Sequence, residues 1–220
     1  MTNIYKPLQL QAYDLIKESI ENGELEFETT YSEAYFSNKL GFSKAPIKSA
    51  IVRLSNEKMV DIIPSKGIVL HKVTSEDLKN SLEMRCAIES YCAFILSQGK
   101  ASASGRRIIK KLDQLLKATY EDVQKCDIDT FAEHDMEWHK TIISFPNNKD
   151  FIDFFSNYSY ITKTLMKKVL FTEGRLPDAY HEHKAIYEAL LSDNPLSAFS
   201  SASYHLNVTQ NILKEKNMIN

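Results

Sequence analysis

The sequence predicts a mainly α protein in two parts. Residues 1–72 read as three short helices closed by a β-hairpin, and residues 75–220 as an all-α helical bundle. Three observations carry this. Six Gly and six Pro in 220 residues are few for a turn-rich sandwich or barrel. The glycines stand at the edges of periodic segments, where they punctuate helices rather than interrupt them. Two β-type runs, Met59–Ile63 and Ile68–His71, flank the turn Pro64-Ser65-Lys66-Gly67.

Composition narrows the class further. Hydrophobic residues at 43% and charged residues at 25% exclude a disordered or fibrous chain. No run approaches the roughly 18 unbroken apolar residues of a membrane span. Residues Met1 to Pro7 lack a basic stretch followed by an apolar core, so no signal peptide is expected. Cys86, Cys92 and Cys126 are odd in number and lack CxxC spacing. They read as reduced thiols of a cytoplasmic protein.

The elements follow in order. The first helix runs from about Leu8 to Asn22, with Leu8, Ala12, Leu15, Ile16 and Ser19 on one stripe. Ser32 caps a second helix that ends at Leu40 before Gly41. Ser43 caps a third that runs to about Lys58, with Pro46 in the first turn, where no intrahelical bond is lost. Its Ala50, Ile51 and Leu54 face inward; Lys44, Lys48, Ser49, Val52 and Arg53 face outward. Thr74 with Asp77 reads as a capping box that opens the second unit. Helices are then expected over Ser75–Gln98, Ser104–Lys125, Ile128–Phe145, Lys149–Phe171, Pro177–Ser192 and Pro195–Lys216.

Net charge is −2, but it is unevenly divided. Residues 1–38 carry two basic and seven acidic side chains; residues 39–72 carry seven basic against Glu57 and Asp61. A helix, a tight turn at Gly41 and a helix with lysines in its first turns form a helix-turn-helix, and the hairpin is its wing. The helix N-terminus and Lys44, Lys48 and Lys66 suit phosphates, and a lysine can donate to guanine in the major groove.

Asp135 and His139, four apart, share one helix face beside Trp138, Ile142 and Ile143. His183 is in register with Ile186 and Leu190, and His205 with Ala198 and Ala202. Buried polar groups must be paired, and one divalent ion would pair all four. Spacing alone leaves open that these are core residues satisfied by ordinary hydrogen bonds. His134 and His181 lie on other faces, and His71 belongs to the wing.

The run Asn38-Lys39-Leu40-Gly41-Phe42-Ser43-Lys44-Ala45-Pro46-Ile47-Lys48-Ser49-Ala50-Ile51-Val52-Arg53-Leu54 resembles the winged-helix signature of GntR-family bacterial transcription regulators. The wing Ile63–Leu70 resembles theirs. The resemblance implies DNA contacts from Ser43, Lys44, Ala45, Pro46, Lys48, Arg53, Lys66 and Gly67. Lys44 and Lys48 replace two usual arginines, Ser49 a usual glutamate, and Ala34 stands where some relatives place an arginine. Lysine keeps the charge but loses the bidentate fork, which changes how an operator is read.

The second unit resembles the FCD domain of FadR-type members, in Met84-Arg85-Cys86-Ala87-Ile88-Glu89, Asp135-Met136-Glu137-Trp138-His139, Glu182–Leu190 and Tyr204-His205-Leu206. In metal-binding members one Asp and three His hold the ion, which implies Asp135, His139, His183 and His205 here. Zinc is the first expectation for one divalent transition metal per chain, with Ni, Fe, Co or Mn as others. Arg85 is the candidate for gripping a small organic acid effector; its alternative is a helical pair with Glu89. The implied protein is a cytoplasmic homodimer that reads a pseudo-palindromic double-stranded operator and is not an enzyme. Two other readings stand beside it. The metal could itself be the signal, with no organic effector. A metal-dependent hydrolase or oxygenase would lack an obvious general base and leave the winged helix unexplained.

Overall fold

The computed structural model describes residues 6–219, so Met1–Tyr5, most of the segment read for a signal peptide, lie outside it. The chain divides into two compact units between Lys72 and Val73.

The first unit contains α1 (Leu8–Glu21), α2 (Glu33–Leu40), α3 (Lys44–Asn56), β1 (Val60–Ile63) and β2 (Gly67–Leu70). Ser32 caps α2 by accepting the Tyr35 amide, and Gly41 ends it in the left-handed conformation (φ 73°) that turns the chain into α3. Ser43 precedes α3 as expected, but its side chain makes no capping bond. The helix stops at Asn56, short of the expected Lys58, which adopts φ 56°. The core takes Ala12 and Ile16 from α1, Phe36 from α2, Ile47 and Leu54 from α3, and Ile68 from β2. The expected α1 stripe is displaced. Leu8 and Leu15 are 47% and 40% exposed, while Tyr13 and Ile20 are buried. Tyr13 turns inward because its hydroxyl donates to buried Glu57 at 2.6 Å, a partner from another helix.

β1 and β2 pair antiparallel, Val60 opposite Leu70 and Ile63 opposite Gly67. Tyr31 bridges the other side of β2, exchanging backbone bonds with Ile68 at 2.8 and 2.9 Å. Gly67 (φ 134°) makes that approach feasible: a Cβ there would lie 2.1 Å from the Tyr31 carbonyl oxygen.

The second unit consists of α4 (Ser75–Gly99), α5 (Ala103–Lys125), α6 (Ile128–Ile143), α7 (Lys149–Asn157), α8 (Ser159–Leu170), α9 (Arg175–Leu191) and α10 (Pro195–Glu215). The Thr74–Asp77 capping box opens α4. Asn194 caps α10, with Pro195 at its first position. Gly105, expected as a boundary, lies inside the first turn of α5. The helix expected over Lys149–Phe171 is two helices broken at Tyr158. The break lets each half serve a different core. Phe155 of α7 joins Leu96, Leu112, Trp138, Ile186 and Ala198, while Ile161 and Leu165 of α8 pack on Leu78 and Leu82 of α4. No Gly or Pro marks this site, so only tertiary packing reveals it. Among the described residues, no helix is long and apolar enough to cross a membrane.

Candidate functional site

The described residues of the second unit bring four polar side chains together inside an apolar bundle. Asp135 and His139 project from α6, His183 from α9 and His205 from α10. All four are buried, and one ligand atom from each lies within 4.8 Å of the others. His139 Nε2 is 3.4 Å from Asp135 Oδ2, His183 Nε2 is 3.4 Å from Asp135 Oδ1, and the Nε2 atoms of His139 and His205 are 3.4 Å apart.

The hydrogen-bond inventory is unusual for such a burial. Neither Asp135 oxygen and neither His183 nitrogen has a hydrogen-bond partner among the described residues. A carboxylate fully removed from water without a partner costs several kcal/mol. Burial pushes the Asp135 carboxyl up, but His139, then His183 and His205, outweigh it and leave it below the usual carboxylate range. Burial holds His183 well below the usual imidazole range, against the pull of Asp135. Burial also keeps His205 low. His139 is raised because Glu89 and Asp135 together overcome its desolvation. Three imidazoles and a carboxylate around one point are the donor set of a borderline divalent transition ion.

Two carboxylates and two arginines surround this cluster. His139 Nδ1 donates to Glu89 Oε2 at 2.5 Å, and Arg85 Nε donates to Glu89 Oε1 at 2.6 Å. Burial would raise the Glu89 carboxyl, yet Arg85 and His139 bring it down to about 2. His205 Nδ1 donates to Glu182 Oε2 at 2.6 Å. Buried Arg175 grips Glu182 through both terminal nitrogens, at 2.6 and 2.8 Å. His183 instead stacks on Trp138, with ring centroids 4.9 Å apart and planes 12° from parallel. Reading the sequence left out the roles of Glu182 and Arg175. Glu182 adjoins His183 in the chain but serves His205, and nothing local announces that. Arg85 makes the helical pair with Glu89, but as a buried contact rather than a surface one, and its Nη2 is buried without a partner. His134 pairs with Asp122 at 2.6 Å and His181 is exposed, so neither joins the cluster.

The first unit has a groove of about 390 Å³ between α3 and the wing, with Glu33 as its one acidic lining residue. Lys44, Lys48, Lys66 and Gly67 line it. The three lysines are exposed and make no ion pair among the described residues. Ser43 and Ala45 are exposed beside it and Pro46 is half-buried. With Ser43 not capping, the first-turn amides of α3 are left for an acceptor from outside. Arg53, grouped with these residues on sequence, does not line the groove. Its Nε donates to Glu57 at 3.0 Å and its guanidinium lies 3.8 Å from the Tyr13 ring centroid, tying α3 to α1.

Both units match known families. The model for bacterial regulatory proteins of the gntR family matches residues 8–70, and that for the FCD domain matches residues 80–208. The HTH-type regulator of the TAR-I ttuE-ttuC' intergenic region of Agrobacterium vitis is 24% identical over 133 residues, 60% of this chain and 77% of that one. The repressor RspR of Escherichia coli (strain K12) is 24% identical over 140 residues, 64% of this chain and 60% of that one. Among solved structures, E. coli McbR/YncC shares the fold with a TM-score of 0.73 at 14% identity, over 96% of this chain and 99% of that one. A metal-free FCD domain, that of TM0439, superposes with a TM-score of 0.53 at 18% identity, over 66% of this chain and 98% of that one. A lysine-lined helix-turn-helix with a wing, ahead of a helical bundle that buries an Asp/His cluster, therefore has its family: the chain belongs to the GntR family of bacterial regulatory proteins, as a DNA-binding transcription regulator with an FCD domain.

Proposed function

We propose that this regulator is a metal-containing homodimer whose affinity for a pseudo-palindromic operator is set by a small organic acid. The observation that carries the reading is the Asp135 carboxylate, buried without a hydrogen bond against three imidazoles. Asp135, His139, His183 and His205 would hold one divalent transition metal per chain, with zinc first and Ni, Fe, Co or Mn as others. The ion would supply a Lewis-acidic centre to which a carboxylate can bind. Arg85, with Nη2 buried and unpartnered, is the group to receive the acid's other end. A relative from Bacillus licheniformis, 22% identical over 169 residues, is named a gluconate operon transcriptional repressor, which accords with an acid effector. Two-fold symmetry of the protein would match two half-sites, with Ser43, Lys44, Ala45, Pro46, Lys48, Lys66 and Gly67 facing each. Lys44 and Lys48 would enter the major groove and Lys66 would meet a phosphate.

Titrating metal-loaded protein on its operator with a panel of organic acids tests the reading. One acid should weaken or strengthen binding, because it prefers one arrangement of the protein. Operator affinity that follows metal concentration and ignores every acid would favour the metal as the signal. Arg85→Lys keeps the charge but removes the fork, so the acid response should fall far more than DNA affinity. Equal loss of both would assign Arg85 to Glu89 alone.

The DNA face has its own test. Lys44→Ala should cost about 1–3 kcal/mol and relax specificity at one base pair, if it reads a base edge. Lys66→Ala should weaken all sequences alike and lower the salt slope by about 1. Arg53→Ala should reduce stability instead, since Arg53 is engaged with Glu57 and Tyr13. Unchanged DNA binding in both lysine variants would place the interface elsewhere.

A further inference from the structure

We infer that Glu89 is a positioning residue of the metal centre and the polar link by which α4 senses its occupancy; the inference rests on the metal reading above. α4 supplies none of the four clustered side chains, which come from α6, α9 and α10. It nevertheless reaches the cluster through Glu89, whose Oε2 lies 2.5 Å from His139 Nδ1. Arg85, one turn earlier and 1% exposed, occupies the other oxygen at 2.6 Å. Arg85 is a fixed cation buried against Glu89, so the carboxyl that pairs with it is ionised and both of its oxygens accept. Nδ1 of His139 therefore carries a proton, and Nε2 is the nitrogen left facing Asp135 and His205, where an ion would bind. A cation on Nε2 withdraws electron density from the ring and makes Nδ1–H a stronger donor. Occupancy of the centre thus tightens the contact between α6 and α4.

Glu182 supports His205 in the same way, at 2.6 Å and clamped by Arg175. That arm joins α9 to α10, helices that already contribute His183 and His205. Glu182 orients a ligand without recruiting a new element, whereas Glu89 recruits one. The recruited helix begins at Ser75, directly after the DNA-binding unit in the chain. His183 has neither support, since its Nδ1 is unpartnered and its ring rests on Trp138.

The test uses the full-length protein and Zn²⁺ competed against a chelator. Glu89→Gln and Glu182→Gln should each weaken Zn²⁺ affinity by about 10–100-fold. Hydrogen exchange then separates the two arms at saturating Zn²⁺. In the wild type and in Glu182→Gln, Zn²⁺ should slow exchange in α4; in Glu89→Gln that metal-dependent protection should vanish. Wild-type affinity in Glu89→Gln, or α4 protection that survives the substitution, overturns the inference. Nitrogen-15 spectra of the wild-type imidazoles provide a check that needs no variant. With Zn²⁺ bound, His139 and His205 should both carry their single ring proton at Nδ1, and a Zn²⁺-loaded His139 protonated at Nε2 overturns the inference. A wild-type protein that binds no Zn²⁺ is a separate result, which overturns the metal reading itself.

Discussion

Chelating the metal should lower the melting temperature of the second unit by about 8–16 °C while leaving the winged-helix unit nearly unchanged. An ion present at about a thousand times its Kd stabilises the folded state by about 4 kcal/mol, and each kcal/mol moves a domain of this size by about 2–4 °C. The ion would tie α6, α9 and α10 together through Asp135, His139, His183 and His205. Native protein should carry about one equivalent per chain. Alanine at any of the four should abolish the shift, because a site missing one ligand loses the geometry of all. His134→Ala and His181→Ala should retain it, since neither residue faces the cluster. Acid should act in the same direction as chelation. Protons compete with the ion for imidazole, so affinity falls as pH drops, first at His139, which Glu89 and Asp135 raise, and at lower pH at His205 and His183, which burial lowers. The metal-free fold shares that sign at His183 and His205. Burial holds both below the usual imidazole range in the folded chain, so the unfolded state binds more protons and stability falls as pH falls. His139, raised by Glu89 and Asp135, opposes this in part. Calorimetry with and without chelator checks the set. Identical melting of both forms would return these residues to ordinary core polar groups.

Gly67→Ala should detach the wing, at a cost of about 3 kcal/mol or more. Its φ of 134° lies where side-chain-bearing residues are strained by about 1–3 kcal/mol. The added Cβ would also meet the Tyr31 carbonyl oxygen at 2.1 Å and Ser32 Cα at 2.8 Å, both backbone atoms that cannot step aside. Relief requires breaking the Tyr31–Ile68 bonds that hold β2. Gly41→Ala is the control. Its φ of 73° is also left-handed, but nothing lies within 4 Å of a Cβ there, so the loss should be nearer 1 kcal/mol. Denaturant unfolding of the two variants distinguishes them. A Gly67→Ala protein as stable as Gly41→Ala would mean that the wing yields without strain.

The contrast between what could and could not be read from the sequence follows the range of the interactions. Ser32, Gly41, the Thr74–Asp77 box and Asn194-Pro195 act within a few residues, and each marks its helix end as expected. The hairpin was legible because turn chemistry and strand alternation adjoin. The four clustered side chains were legible as a motif and as faces of three helices, since each face keeps its own period. What escaped depends on partners distant in the chain. Tyr13 turns α1 toward Glu57, forty-four positions away. Arg53 faces outward on α3 as expected and is half exposed, but its links to Tyr13 and Glu57 depend on partners from elsewhere. Tyr158 breaks a continuous apolar pattern because its two sides are claimed by different cores. Glu182 and Arg175 form their pair seven residues apart, and its purpose appears only when α10 brings His205 beside it.

The stacking of Trp138 on His183 equips the molecule with its own optical probe. The chain has one tryptophan. Its indole is fully buried and lies flat against an imidazole whose Nε2 edge is 3.4 Å from the Asp135 carboxylate. An excited indole is quenched by a neighbouring ring that gains positive charge, whether from a proton or from an ion. Emission excited at the red edge, where the eleven tyrosines do not absorb, therefore arises from a single address in the interior. Any ion or proton taken up by the cluster would be followed in real time in unlabelled protein, on DNA or off it, with no dye to perturb either unit.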